Sequence, residues 1–207
     1  MRLSLALLLA ISAAPALSQD RPPGPDNLVL SCVGPFAKDS THDRLVEVFG
    51  ARNVALEEVS IGEGEKDTAS VIYPKDRARR VEVLWADARR RARPAVVRVE
   101  EANSRWTLAA GFGPGATLAA VEKANGGAFE LSGFDWDYGG RVTDWNGALS
   151  SGAASGCAIT VRFAKNPEAS ETAAEAVSGD RTFRSSDRRM RAVRPRVEGI
   201  GLSVRQG

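Results

Sequence analysis

The chain has 207 residues, 43% hydrophobic, 26% charged and 6% aromatic, with 28 Lys and Arg against 26 Asp and Glu and a single histidine. That composition excludes wholesale disorder and a collagen-like chain, and the presence of only two cysteines, Cys32 and Cys157, excludes a disulfide-dense miniprotein. A formal charge of +2 gives the chain no general pull on polyanions, and one histidine with two cysteines leaves little for metal or triad chemistry.

Met1 and Arg2 make a basic start, Leu3 to Ala14 is an apolar run, and Ala16-Leu17-Ser18 supplies small residues where a signal peptidase reads. Residues 1–18 are therefore expected to be a signal peptide, which places the mature protein in the periplasm or outside the cell. The run is shorter than the roughly 20 residues that cross a bilayer, and no other segment approaches that length, so no transmembrane segment is expected. Residues 19–27, with Arg21-Pro22-Pro23-Gly24-Pro25, sustain neither helix nor sheet and read as a linker. In an oxidising compartment the simplest expectation is one disulfide between Cys32 and Cys157, with two unpaired buried thiols as the alternative.

A first helix-plus-sheet unit is expected over residues 28–110. Leu28 to Val33 reads as a strand, and Ser40-Thr41 opens a short helix with Ser40 and Asp43 at capping-box spacing, Leu45, Val48 and Phe49 on one face and Gly50 at the stop. Val71 to Tyr73, Val81 to Trp85 and Val96 to Val99 are β-branched runs that read as strands. A second unit over 111–165 repeats the order. Thr117 caps a helix carrying Leu118 and Val121 and ended by Asn125-Gly126-Gly127; then come Phe134 to Tyr138, a Gly139-Gly140 turn, Arg141 to Trp145, and the alternating Cys157, Ile159, Val161 and Phe163. One offset of 76 carries Thr41 to Thr117, Leu45 to Val121, Gly50 to Gly126, Val81 to Cys157 and Val83 to Ile159, and keeps the inward phase of the strand. The middle of each unit does not align, so the loops are expected to differ. Residues 166–207 read as a flexible connection and a tail with seven arginines between Arg181 and Arg196, in which Ile200 to Val204 fits an edge strand. The fold class expected is α+β, two tandem units, each a short helix packed on an antiparallel sheet, with Leu45 and Val121 as equivalent core residues.

Gly115-Ala116-Thr117, Val121, Asn125-Gly126, Phe134, Trp136 and Tyr138 resemble the helix-then-sheet signature of the BamE/SmpA-type envelope domains. Two such units in tandem resemble the plan of the β-lactamase inhibitory proteins. The resemblance covers about residues 28–165, lacks the lipoprotein cysteine of the BamE type, and implies a fold and a binding style with no target.

The residues offer little catalysis. Gly111-Phe112-Gly113-Pro114-Gly115-Ala116 matches a relaxed dinucleotide pattern, with Glu130 near the expected acidic place, but an antiparallel hairpin follows where a parallel return is required, so it reads as a glycine-rich connection. His42 beside the Thr41 cap reads as a surface residue, and the serines, Ser150-Ser151 and Ser185-Ser186 among them, sit in no nucleophile elbow. No cofactor and no metal are expected. Asp135, Asp137 and Asp144 on one hairpin are the candidates of the alternative reading, a secreted hydrolase.

With Gly139-Gly140 as a two-residue turn, Tyr138 faces Arg141, Trp136 faces Thr143 and Phe134 faces Trp145, which gathers aromatics and one arginine on one side. Packing on the Thr117 helix accounts for such a face; so does recognition, because Trp, Tyr and Arg are enriched in interface hot spots. Trp136, Tyr138, Arg141 and Trp145 are the candidate binding residues, with Phe134 inside. Lys75 to Arg93 and Arg181 to Arg196 are basic without interleaved aromatics, which fits a solvated face or an anionic surface rather than nucleic acid. The expected function is that of an exported, non-enzymatic binding or inhibitory protein whose partner is a protein or an envelope polymer.

Overall fold

The computed structural model describes residues 28–150 and 157–204; the expected signal peptide and linker lie outside them. The chain runs through β1 (Val29–Leu30), α1 (His42–Phe49), β2 (Val54–Gly62), β3 (Glu65–Ile72), β4 (Val81–Asp87), β5 (Ala92–Val99) and β6 (Thr107–Leu108). It continues with α2 (Leu118–Asn125), β7 (Glu130–Ser132), β8 (Val142–Asp144), β9 (Cys157–Ala164), α3 (Glu171–Glu175), β10 (Thr182–Arg184), α4 (Arg188–Ala192) and β11 (Arg196–Val204). The class is α+β. An antiparallel six-stranded sheet has the order β2-β3-β4-β5-β11-β9; a three-stranded sheet has the order β10-β7-β8, and β1 lies parallel to β6. A single bridge, Arg141 to Arg162, joins the end of β8 to β9.

Both helices begin as their sequences dictate. Thr41 is extended and its hydroxyl accepts from the Arg44 N–H at 3.1 Å, and Thr117 accepts from Ala120 at 3.2 Å in the same way. Ser40 is not the cap. It is buried, and its hydroxyl donates to the Pro35 carbonyl at 2.7 Å, so the helix starts one residue later than the capping-box spacing implies. Leu45 and Val121 are fully buried at equivalent places.

The strand pairing repeats the unit. Val83 pairs with Val97 in the first half and Ile159 with Leu202 in the second; Leu84 pairs with Val96 as Thr160 does with Gly201, and Glu82 with Arg98 as Ala158 does with Ser203. The third strand thus recurs after 76 residues and the fourth after 105, the difference being the α3-β10-α4 insertion. Val97 also pairs with Leu202, its own equivalent, so the two halves meet across an approximate two-fold axis at the β5–β11 pair. The bridges Thr41 to Ala92 and Thr117 to Arg196 repeat the tie between helix start and fourth strand.

Three expectations change. The C-terminal strand is central, between β5 and β9, and the arginine-rich stretch before it is folded into β10 and α4. The segment β2, unrecognised in the sequence, forms the outer edge. The hairpin of the second unit is paired differently: Glu130 faces Asp144 and Leu131 faces Val142, so residues 133–141 form a long connection. Its glycines serve close packing rather than a two-residue turn. A Cβ on Gly133 would sit 2.4 Å from the Gly179 carbonyl oxygen, and one on Gly140 2.0 Å from that of Phe163. Cys32 and Cys157 form the disulfide, tying the segment after β1 to β9 over 125 positions.

Candidate functional site

In antiparallel pairs, residues directly opposite point to the same face. Val83, Val97, Leu202 and Ile159 form a row on the face that packs under the helices; Val83, Val97 and Leu202 are buried with Leu45 and Val121, and Ile159 packs on that core half-buried. The next row, Ala55, Val71, Glu82, Arg98, Gly201 and Thr160, crosses all six strands on the other face, which carries no helix. Two materials line that open face. Val59, Ala69, Val71 and Leu84 make an apolar strip with Val96 packed against it. Beside the strip runs a chain of charges: Glu57 to Arg80 at 2.8 Å, Arg80 to Glu82 at 3.1 Å, Glu82 to Arg98 at 2.9 Å, and then Glu100, Arg162 and Glu198. Glu82 is buried, and arginines on both sides compensate its carboxylate.

The face is curled. Flat, six strands about 4.8 Å apart would hold β2 and β9 about 24 Å from one another. Yet the β2–β3 turn meets the connection between β7 and β8, where the Tyr138 hydroxyl donates to Glu63 Oε1 at 2.8 Å. This bond favours the protonated phenol and raises the Tyr138 pKa. On either side of the contact lie two hollows, of about 390 and 480 Å³, that share Ile61, Arg98, Tyr138 and Arg141 in their walls. The floor of the first is built of small residues, Gly199, Ser203 and Thr160.

The four expected binding residues do not share one face. Tyr138 is 45% exposed, Arg141 is exposed with its guanidinium 5.8 Å from the Tyr138 ring, and Trp136 is half-buried with its ring edge-on to Tyr138. Trp145 leaves the set. It is only 8% exposed, its ring lies 5.4 Å from that of Phe129, and its indole N–H donates to the Ile159 carbonyl at 3.2 Å. The shifted register moves it there, since Asp144 rather than Thr143 occupies the paired position and Trp145 follows the strand into the core. Phe134 is buried, as expected.

The carboxylates of the hydrolase reading do not converge. Asp135 is held by Lys165 and Ser178, whose hydrogen bonds keep its pKa below the usual carboxylate range, whereas a general acid needs a raised one. Asp137 lines the larger hollow, and Asp144 accepts from the Asn146 N–H at 3.0 Å. Among the described residues no cluster of three His, Cys, Asp or Glu could hold a metal, and no helix is long and apolar enough to cross a membrane. The glycine-rich segment before α2 lies against β11: Gly115 N–H donates to the Val197 carbonyl, and a Cβ on Gly113 would meet the Trp106 carbonyl at 2.3 Å.

His42 is a structural residue rather than a surface one. The Trp85 indole donates to Ser70 Oγ at 2.9 Å, and His42 Nδ1 lies 2.8 Å from the same oxygen, so the hydroxyl ties the imidazole to β3 and β4. Burial, reinforced by the Arg91 charge and opposed by Asp43, lowers its pKa.

Sequence reasoning missed Ile61, Glu63 and Arg98. A Gly62-Glu63-Gly64 turn signal announced the hairpin that carries Ile61 and Glu63, and the alternation of Gly199, Gly201 and Ser203 with Ile200, Leu202 and Val204 announced a strand with one bare face. The fold and face together define an α+β protein of two helix-on-sheet units with a recessed open face. No family model matches the chain, no curated protein matches it, and no solved structure matches its fold.

Proposed function

We propose that the chain is an exported, non-enzymatic binding or inhibitory protein of a bacterial-type envelope, periplasmic or secreted, and that it recognises a protein or envelope polymer on its helix-free face. The observation that carries this reading is the Tyr138–Glu63 contact standing over two hollows, with Ile61 and Tyr138 exposed beside it and Arg141 without a carboxylate partner among the described residues. An exposed aromatic, an aliphatic anchor and an arginine around a recess are the components of an interface hot spot. The N-terminal apolar run supports export, and the mirrored strand pairing supports a kinship with tandem BamE/SmpA-type domains. The hydrolase alternative has no comparable support, because its three carboxylates are separated and the one with a shifted pKa is shifted down.

The test is capture from an envelope extract on immobilised wild type, Tyr138→Ala and Arg141→Gln, with a thermal melt of each. Retention by wild type and loss with both variants at an unchanged melt supports the reading. Capture unaffected by either substitution removes the open face from recognition.

A further inference from the structure

The connection over residues 133–141 borders more than the open face. Tyr138 and Arg141 line the two hollows already described, whereas Trp136 lines a third, of about 430 Å³, that shares only Arg162 with them. Trp136 is held in place there. Its indole N–H donates to the Gly133 carbonyl at 3.0 Å, its own carbonyl accepts from the Gly139 N–H at 2.9 Å, and a Cβ on Gly139 would lie 3.0 Å from that carbonyl. Asp135, just before it, sits in the left-handed region at φ +63°, where a non-glycine residue seldom rests, and Lys165 and Ser178 fix its Oδ2. Across the hollow, the Asn166 N–H donates to the Val193 carbonyl at 3.2 Å and its side-chain Oδ1 accepts from the Glu168 N–H at 3.0 Å. A wall ordered in advance loses little freedom when something binds to it.

The charges of this wall cancel. Lys165 pairs with Asp135 and Arg162 with Glu198 at 3.1 Å, two cations against two anions, so the hollow has no surplus with which to draw an ion. Hydrogen-bonding capacity is nevertheless left over: among the described residues Asp135 Oδ1 and Glu198 Oε1 accept from no donor, and the Asn166 side-chain amide donates to no acceptor. Beside these groups Trp136 is half-buried, while Trp85, Trp106 and Trp145 are buried. A bilayer finds no hold here, because the exposed large hydrophobics, Val33, Leu56, Ile61 and Tyr138, all lie outside the wall and no cationic excess faces a headgroup. An extended peptide fares no better. The adjoining edge of β9 is already occupied, with the Phe163 N–H donating to the Gly140 carbonyl at 2.8 Å and Arg162 bridged to Arg141, so no free strand edge is offered for pairing.

We infer that this hollow binds a neutral saccharide, one sugar ring lying against Trp136 with its hydroxyls shared among Asp135, Asn166 and Glu198. Each sugar hydroxyl both donates and accepts, so neighbouring hydroxyls on one ring satisfy two carboxylate acceptors and an amide donor together. The C–H face of the same ring is apolar and covers aromatic surface that water otherwise wets. The site lies beside the hollows of the open face, so this inference stands or falls separately from the recognition through Tyr138 and Arg141.

The test titrates the protein, without its first 18 residues, with cellotetraose, maltotetraose and chitotetraose, the last built of N-acetylglucosamine. Because the other three tryptophans are buried, acrylamide quenching of tryptophan emission reports on Trp136, and calorimetry gives the affinity. At least one of the three sugars is expected to bind saturably, to shield the emission from acrylamide, and to keep its affinity as salt is raised, since no charge is involved. Trp136→Ala is expected to weaken that binding about tenfold or more, and Asn166→Ala severalfold, with thermal melts taken of both. Trp136→Phe retains a ring and the fold, and is expected to bind between wild type and the alanine variant, which separates a lost contact from a loosened connection. Failure of all three sugars to bind, equal affinity in wild type and both Trp136 variants, or affinity that falls steeply with salt overturns the proposal. So does binding of tetra-alanine as tight as that of the best sugar, which would assign the hollow to peptides.

Discussion

On the open face, Glu82, Leu84, Val96 and Arg98 of the first unit stand where the second has Ala158, Thr160, Gly201 and Ser203, while on the helix face Val83 and Val97 are matched by Ile159 and Leu202. The helix face is held to apolar residues of similar volume because a close-packed core tolerates little else. The open face carries no such constraint. One copy there has filled its surface with an ion pair and two aliphatics, and the other has been reduced to small side chains that leave a hollow. The place where the two equivalent surfaces part company borders the hollow lined by Tyr138, Arg141 and Ile61, the residues on which the proposed recognition rests.

Four changes break or sharpen this comparison. The largest effect belongs to the cross-link held by Cys157, whose counterpart in the first unit is Val81. Cys32→Ser with Cys157→Ser removes a bond closing a 125-residue separation, and chain entropy sets the loss at about 4 to 5 kcal/mol, read as a lower urea midpoint. Next, Leu45→Ala is expected to cost about 2 to 5 kcal/mol. Val121→Ala at the equivalent place loses two carbons at about 0.8 kcal/mol each before any cavity term, so about 2 kcal/mol. If one of the pair changes the melt and the other does not, the two helices are not equivalent supports. Third, Ala158→Glu with Ser203→Arg rebuilds on the second unit the ion pair of the first. A cross-strand charge pair contributes only about 0.2 to 1 kcal/mol, so the melt should barely move, while the filled hollow should abolish partner capture. Capture that persists would show that the asymmetry is neutral.

The smallest effect concerns pH. Folding lowers the pKa of His42, so the unfolded chain takes up its proton first and stability falls as pH drops through about 6.5 toward the lower folded value. The chain has a single histidine, so a decline in melting temperature between pH 7.5 and 5.5 that is absent in His42→Gln identifies it. The second unit has no histidine at all, and a decline that survives the substitution assigns the effect elsewhere.

Periodicity and caps were enough to read the helix-face half of this structure. Thr41, Gly50, Thr117 and Gly126 delimit both helices because capping is decided within a few residues of sequence. The strands β4, β5 and β9 declare themselves through β-branched runs. What stayed hidden depended on distant contacts. The strand β2 buries Val54 on the helix side and Val59 on the open face and leaves Leu56 exposed among acids, a pattern with no clean period of two. Gly139-Gly140 looks like a hairpin turn locally, but Gly140 is needed for its approach to the Phe163 carbonyl, a contact invisible along the chain. Trp136, Tyr138 and Arg141 were legible as unusual residues in a short stretch; the recess beneath them, made by Gly199 and Ser203 from another strand, was not.

The central position of β11 reaches into the order of synthesis. Residues 92–99 and 157–164 are made before 196–204, and although β5 already has β4 on one side, its other edge and β9 have no partner in the sheet until that strand emerges. Until then the nascent chain presents two unpaired β edges at the heart of its future sheet, an invitation to pair with other chains. The final nine described residues act as a clasp: β2 to β5 can pair among themselves, but the six-stranded sheet, and the hollow floored by Gly199 and Ser203, exist only once that strand is in place.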